Sequence, residues 1–307
     1  MFYYKAFGLH IRSEIKLAQV PEEAPCEEDV RIIKGAVPDK LENSCLDSTW
    51  IEGNRNEILF RVSKVAAYYI KEGTEITVET ADDILPEQEP LIQIYLMGTA
   101  MGALLIQKDI LPLHGSCVWK KEMPAIAFTG DSGAGKSTIA SYFLKNGWRM
   151  LSDDVTPLRM ENGLPEVYPS FPQRKLWEDE WTAGEIKEEN AELLWREAER
   201  QKFAIHSAGC FHDRKEPLQV VFQLVVKNQE SVTCRRVEGV EKAILLREHT
   251  YRNFLYAGTE EKQRHFRQCA KMAEGLDIYQ IFRPSEMRSE KDIFRLVEKI
   301  LETRKFG

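Results

Sequence analysis

The chain of 307 residues carries 42 basic against 49 acidic side chains, a formal net charge of −7, with 43% hydrophobic and 30% charged residues. That length supports one large core or two ordinary domains, and the composition is that of a globular protein, not a disordered one. An acidic balance supplies no global basic field, so no nucleic-acid partner is expected.

Residues 1–88 read as a smaller N-terminal α/β domain. The alternating runs at 2–11, 58–62, 67–70 and 75–78 have strand character, while the acidic, proline-marked stretches at 21–29 and 86–90 are punctuation. Residues 89–307 read as the second domain, and substrate docking is the expected role of the first. The apolar stretch 91–107 contains Gly98 and Gly102 in a G-x-x-x-G pattern, but it is short for a span and lacks flanking basic clusters. It is predicted as a buried helix over 90–107, with no membrane partner. The six cysteines form no C-x-x-C pair and the start carries no basic region followed by an apolar core, so a reducing, cytoplasmic setting is expected.

Strands are predicted at 111–119, 125–129 and 148–152, with a helix over 138–144 that stops at Asn146-Gly147. A hairpin follows through Glu161-Asn162-Gly163, then a polar helix over 185–199 and an apolar strand over 218–226. Helices at 239–256, 259–274 and 289–303, with a strand at 277–282, complete an α/β fold with a mixed sheet and flanking helices.

Gly130, Asp131, Ser132, Gly133, Ala134, Gly135, Lys136 and Ser137 spell G-x-x-x-x-G-K-S between a predicted strand and a helix opening at Thr138. In that context glycines let successive backbone N–H groups curl inward and the helix N-terminus adds positive potential. Lys136 then reaches the outer phosphates of ATP and Ser137 holds magnesium. The Gly-Asp-Ser-Gly letters also surround the nucleophile of some serine proteases, but His114 lies only a short strand upstream and Lys136-Ser137 follows at once, which disfavours that reading.

Phosphoryl transfer also needs a carboxylate beside the attacking hydroxyl and an acid for magnesium. Asp153 and Asp154 end the strand after the loop helix, at the sheet edge where ligands of such folds bind. Neighbours on a strand point opposite ways, so one is expected to face the reaction while the other serves the metal or orients a neighbour; a solvated turn capped by two acids is the bland alternative. His114 ends the strand before the loop strand, within reach of the terminal phosphate.

Together, Leu113-His-Gly-Ser116, Phe128-Thr-Gly-Asp-Ser-Gly-Ala-Gly-Lys-Ser137 and Gly147-Trp-Arg-Met-Leu-Ser-Asp-Asp154 resemble the HPr kinase/phosphorylase family. The resemblance implies a phosphate-loop kinase using ATP and Mg2+ on a serine of a peptide or small protein. It implies Asp154 as the proton acceptor, His114 beside the phosphate, and Lys136 and Ser137 on phosphate and metal; Asp153 is the further metal ligand expected from its place beside Asp154. The family's later Glu-Ile-Arg-Gly-x-Gly-Ile loop is absent. Tyr168 to Trp177, followed by Glu178-Asp179-Glu180, stands in its place and is similar to the divergent kinases found with lasso-peptide biosynthesis. Those act on the C-terminal serine of a precursor, and Arg174 with Lys175 offers a basic pair for a terminal carboxylate.

Two other classes stay open: a small-molecule phosphate-loop kinase with Arg196, Arg200 and Arg214 in a lid, and a nucleotide sensor that transfers nothing. His206-x-x-x-Cys210-x-His212 matches no zinc spacing and reads as a substrate-covering loop. The number of subunits is left open, with a homo-oligomer among the options.

Overall fold

The computed structural model describes residues 1–177, 191–197, 200–285 and 288–303. The first half opens with eight strands: β1 (Phe2–Ala6), β2 (Leu9–Ser13), β3 (Val30–Lys34), β4 (Leu46–Asp47), β5 (Ile51–Gly53), β6 (Glu57–Val62), β7 (Ala66–Lys71) and β8 (Glu75–Thr80). They form one sheet in the order β1-β2-β3-β8-β7-β6-β5-β4, with β3 parallel to both β2 and β8. The expectation of an α/β unit is corrected here, because residues 1–85 contain strands and connections but no helix. The connections at 14–29 and 35–45 carry prolines and acids and lack an apolar stripe of helical period, so nothing in them can cover a sheet face as a helix.

That cover comes from the next segment, where α1 (Glu89–Tyr95), a π turn (Leu96–Ala100) and α2 (Met101–Gln107) run continuously. By length and composition this segment passes for a membrane span, yet 61% of its most apolar window is buried inside the protein. Leu96, Met97, Met101, Leu104 and Leu105 join one apolar core with Tyr4, Phe60, Tyr68 and Ile70 of the first sheet. The G-x-x-x-G pair has a local explanation: a Cβ on Gly98 would lie 3.0 Å from the Tyr251 hydroxyl and one on Gly102 3.0 Å from its ring. The helix surface is hollowed to seat that tyrosine.

The second half comprises β9 (Leu111–Trp119), β10 (Ala125–Gly130), α3 (Lys136–Lys145), β11 (Arg149–Ser152), β12 (Val155–Glu161), β13 (Leu164–Val167), β14 (Gln173–Trp177), β15 (Ala191–Glu197), β16 (Arg200–His206), β17 (Glu216–Lys227), β18 (Thr233–Val237), α4 (Val240–Glu248), α5 (Thr259–Glu274), β19 (Asp277–Pro284) and α6 (Glu290–Glu302). The mixed α/β layout expected from the alternation of strands and helices is observed. The main sheet runs β10-β9-β12-β13-β17-β19-β18, with β11 on β9 and an added β10–β17 pairing. Strands β10, β17 and β19 are parallel and the others antiparallel. Phe128, Phe143, Phe222, Ile293 and Val297 fill one face under α3 and α6, while Leu111, Val221, Leu246, Cys269 and Met272 fill the other under α4 and α5.

Two helix expectations are corrected. Residues 191–197 of the predicted 185–199 helix form β15, paired with β16 from Ala191↔Ile205 onward, in a three-stranded sheet β14-β16-β15. Residues 178–190 and 198–199, including Glu178-Asp179-Glu180, lie outside the described residues. Cross-strand pairing has overridden the helical preference of a charge-rich run. The predicted 239–256 helix stops at Glu248: the chain turns, Arg252 takes a left-handed φ of 52°, and Tyr251 N donates to Pro112 O at 2.7 Å, tying the turn to β9.

Gly115 marks a close backbone approach in this half. A Cβ there would meet the Phe128 carbonyl oxygen at 2.5 Å, so β9 and β10 approach as only glycine permits. Gly115→Ala is expected to lower stability by about 1–3 kcal/mol, the range for overpacking a filled core. Gly209→Ala, whose added methyl meets nothing within 4 Å, should leave the melting temperature within a degree or so. Equal melting temperatures for the two variants would contradict the close approach.

Candidate functional site

Strand β10 ends on Gly130 and α3 opens on Lys136, so the intervening loop turns out of the sheet edge between β9 and β17. Lys136 folds its ammonium over the loop, donating from Nζ to Gly130 O at 2.9 Å and Asp131 O at 3.0 Å. Arg283, from β19, braces the loop from behind by donating to Ala134 O at 3.0 Å, and Ala134 is buried against the α3 core. Thr138 lies half-buried in the first turn of α3.

The two aspartates form the bend between β11, which ends at Ser152, and β12, not the end of a strand, and they diverge there. Asp153 turns inward and is 7% exposed. Its Oδ1 accepts from Ser116 Oγ at 2.5 Å and Ser137 Oγ at 3.0 Å, and its Oδ2 accepts from the Lys175 backbone N–H at 2.9 Å. Asp154 adopts a left-handed φ of 70° that swings its carboxylate the other way, where Oδ2 accepts from Lys175 Nζ at 2.7 Å. Burial alone would depress the Lys175 ammonium, but Asp154 outweighs it and the pKa of Lys175 is raised. Lys175 therefore carries its charge at neutral pH, against the Asp154 carboxylate.

His114 stands against the same carboxylate. Its Nδ1 lies 3.0 Å from the Asp154 carbonyl oxygen and 3.5 Å from Oδ1. A carbonyl only accepts, so Nδ1 carries the proton and Nε2 is left for a ligand. Burial lowers the His114 pKa; Lys136 adds to that and Asp154 opposes it. Backbone bonds fix the residue further, with His114 N donating to His249 O at 2.8 Å and Thr129 Oγ1 donating to His114 O at 2.8 Å.

These groups border one cavity of about 710 Å3. Its polar wall is Gly130, Asp131, Ser132, His114, Asp154 and Lys175; its apolar wall is Leu91, Ile94 and Tyr95 of α1 with Thr99 beyond; and residues 248–252 close a third side. Lys136 and Asp153 are one hydrogen bond behind that wall, and Ser137 is two, through Asp153. Among the described residues no group of three or more His, Cys, Asp and Glu side chains is placed to hold a metal alone. The Ser137–Asp153 pair instead fits Mg2+, which takes one or two protein oxygens and shares the rest of its shell with phosphate and water.

The basic pair predicted to act together is split. Lys175 faces the cavity, whereas Arg174 points from the opposite side of β14, donating from Nε to Ser207 Oγ at 3.0 Å and from Nη1 to Ser141 Oγ of α3 at 2.7 Å. Adjacent strand residues cannot share a face, so a two-residue carboxylate clamp is not formed. Residues 249–252 escaped the sequence reading because the predicted helix ran through them to 256, although the run Glu-His-Thr-Tyr-Arg from Glu248 breaks the apolar spacing of α4. His212, from the proposed covering loop, stacks on Trp119 and contacts Glu216, and Cys210 contacts Ser207 O.

A strand, a glycine-rich loop and a helix carrying Lys and Ser, with two carboxylates in the bend after β11, give this mixed α/β fold the layout of the phosphate-loop pattern. No family model and no curated protein matches the chain. Among solved structures it is similar to the HPr(Ser) kinase/phosphatase from Coxiella burnetii, at 11% identity and a TM-score of 0.31, over 62% of this chain and 93% of that one. So distant a likeness carries no argument about the site, which rests on its own residues.

His249 and His265 flank the turn at Thr250, and burial pushes both imidazoles from 6.5 to about 4. Both are neutral when folded, so the unfolded chain takes up their protons first. Stability is then complete above about pH 6.5 and is lost as the pH falls toward 4. Denaturant midpoints should fall steadily through that window, and His265→Gln should flatten the slope; a level profile would contradict the assignment.

Proposed function

We propose that this protein is a kinase that uses ATP and Mg2+ to phosphorylate a serine hydroxyl on a peptide or small protein. The observation that carries the reading is the convergence of the phosphate-type loop, Asp154, His114 and Lys175 on a single cavity. The loop amides and Lys136 bind the triphosphate, and the acceptor hydroxyl enters beside Asp154. As the new O–P bond forms and the bond to the ADP oxygen breaks, the Asp154 carboxylate takes the hydroxyl proton. Lys175 holds the Asp154 carboxylate in place to accept, and His114 Nε2, bare in this tautomer, accepts a hydrogen bond from an O–H of the substrate or of water. Ser137 and Asp153 would hold Mg2+, which would supply charge neutralisation on the phosphates. The apolar wall from α1 gives a peptide side chain a dry surface beside the hydroxyl, and water exclusion strengthens every charge interaction in the cavity.

The finer reading is a C-terminal serine of a lasso-peptide precursor. With Arg174 committed to Ser141 and Ser207 and Lys175 to Asp154, we assign a terminal carboxylate to Arg252 on the cavity wall. Arg252→Ala is expected to raise KM for a peptide ending in free Ser about tenfold while leaving the amidated peptide unaffected. Equal effects on the two peptides would remove the carboxylate contact.

The reaction itself is tested by incubating the protein with γ-labelled ATP, Mg2+ and serine peptides. Labelled peptide is expected, with turnover falling about a hundredfold to ten-thousandfold in Asp154→Asn or Lys136→Ala. Label in a small metabolite would assign the protein to small-molecule kinases, and ATP binding without label would leave a sensor.

A further inference from the structure

Strand β17 is apolar at its centre, with Leu218, Val220, Val221, Phe222 and Leu224 buried, yet it carries a half-buried glutamine, Gln223. Gln223 belongs to a polar row that crosses the sheet at one level. Arg235 of β18 pairs with Gln280 of β19, Gln280 with Gln223, Gln223 with Thr129 of β10, and Thr129 with Gly115 of β9. The side chains are hydrogen-bonded in sequence. Arg235 Nε donates to Gln280 Oε1 at 2.6 Å, Gln280 Nε2 donates to Gln223 Oε1 at 2.6 Å, and Gln223 Nε2 lies 2.7 Å from His249 Nε2.

The direction of this chain is set at its outer end. Arginine has no acceptor, so Gln280 must offer it oxygen and is left with its amide nitrogen for Gln223. The same choice repeats at Gln223, whose N–H groups then face His249. An imidazole nitrogen that receives an N–H must hold a lone pair, so Nε2 is unprotonated, the ring is neutral and its proton sits on Nδ1. The opposite tautomer or an imidazolium would set donor against donor at 2.7 Å. Burial acts in the same sense, pushing the His249 pKa to about 4, with Asp131 opposing and Lys136 and His114 reinforcing.

His249 is 8% exposed and borders the cavity beside Gly130, Asp131 and Ser132. With Nε2 occupied, Nδ1 is its only remaining polar atom. We propose that His249 is a ligand-contacting residue of the phosphate pocket, a neutral imidazole whose Nδ1–H donates to an anionic phosphoryl oxygen, its tautomer fixed from the far edge of the sheet by Arg235 through Gln280 and Gln223. The identity of the ligand rests on the kinase reading; the tautomer does not. Lys136 and Lys175 already bring two positive charges to this pocket, and a neutral donor adds a hydrogen bond without a third. The row also positions His114, since His249 O receives its N–H and Thr129 holds its carbonyl.

The test is 15N NMR of the histidine rings in the full chain. His249 should show a protonated Nδ1 and a bare Nε2 from pH 8 down to about 5, the expected behaviour of a ring titrating near 4. His265 supplies the contrast: Thr250 Oγ1 donates to Leu246 O at 2.8 Å and so accepts from His265 Nε2 at 2.8 Å, giving the Nε2–H form. His249→Asn assigns the signal, and Gln223→Leu should release the tautomer. A His249 found as Nε2–H or as imidazolium at pH 7 overturns the proposal. Saturating the wild type with AMP-PNP and Mg2+ should shift the Nδ1 resonance; an unmoved resonance, or no binding at all, overturns the ligand contact. His249→Ala should weaken AMP-PNP binding roughly tenfold, and His249→Asn, which keeps a donor near Nδ1, should recover most of it. Equal loss in both overturns the contact. If the resonance shifts yet no peptide is labelled, the transfer reading fails and the phosphoryl contact stands.

Discussion

The turn at Asp153-Asp154 is the constraint on which the rest of the site depends. A left-handed backbone at Asp154 costs a residue with a Cβ on the order of 1 kcal/mol, less for aspartate than for most because its short carboxylate tolerates that region. The conformation sends two neighbouring carboxylates into different environments. One is sunk among Ser116, Ser137 and the Lys175 amide; the other faces the cavity between a lysine and an imidazole. A regular strand would also separate them, but it would not bring the Asp154 carbonyl onto His114 or release the chain into β12, whose Val155 pairs with His114. One unusual φ thus links β9, the glycine-rich loop through Asp153 and Ser137, and the side of the cavity that Asp154 lines.

Lys175 is the second hinge of the arrangement, because its main chain binds one aspartate and its side chain the other. It reaches the site on β14, a strand of the small third sheet, and Arg174 pins that strand to α3 through Ser141. The first sheet contributes differently. Its covering helix presents Leu91, Ile94 and Tyr95 to the cavity and seats Tyr251 over Gly98 and Gly102. Packing of the N-terminal sheet, shape of the cavity and placement of residues 249–252 are therefore one problem of core complementarity, carried by a helix that both halves bury.

Much of this was legible in the sequence. The strand–loop–helix at 125–144 was readable because glycine, lysine and serine occur there for reasons of backbone geometry and charge that leave few alternatives. Strands β6 to β8 were readable from their β-branched and aromatic residues, β9 and β10 from near-continuous apolar runs, and the Asp-Asp pair from its position just past a strand. The obscure parts were those where tertiary pairing decides. Strand β15 is charged and reads as helix until β16 is beside it, and β18 is a polar edge whose only strong cue is its partner. The end of α4 was hidden because nothing local announces that Arg252 will turn left-handed. The α/β character given to residues 1–88 failed for a related reason: a sheet face needs a cover, and the covering helix comes from beyond the eighth strand.

The claim that one cavity unites phosphate grip and proton acceptance is tested most directly by a crystal structure of the protein with AMP-PNP, Mg2+ and a serine peptide. The account predicts the triphosphate wrapped by residues 130–137, with the serine hydroxyl between the terminal phosphorus and Asp154, within about 3 Å of a carboxylate oxygen. A nucleotide bound elsewhere, or one held at Lys136 with Asp154 too far from its terminal phosphate for a hydroxyl to bridge them, would contradict it.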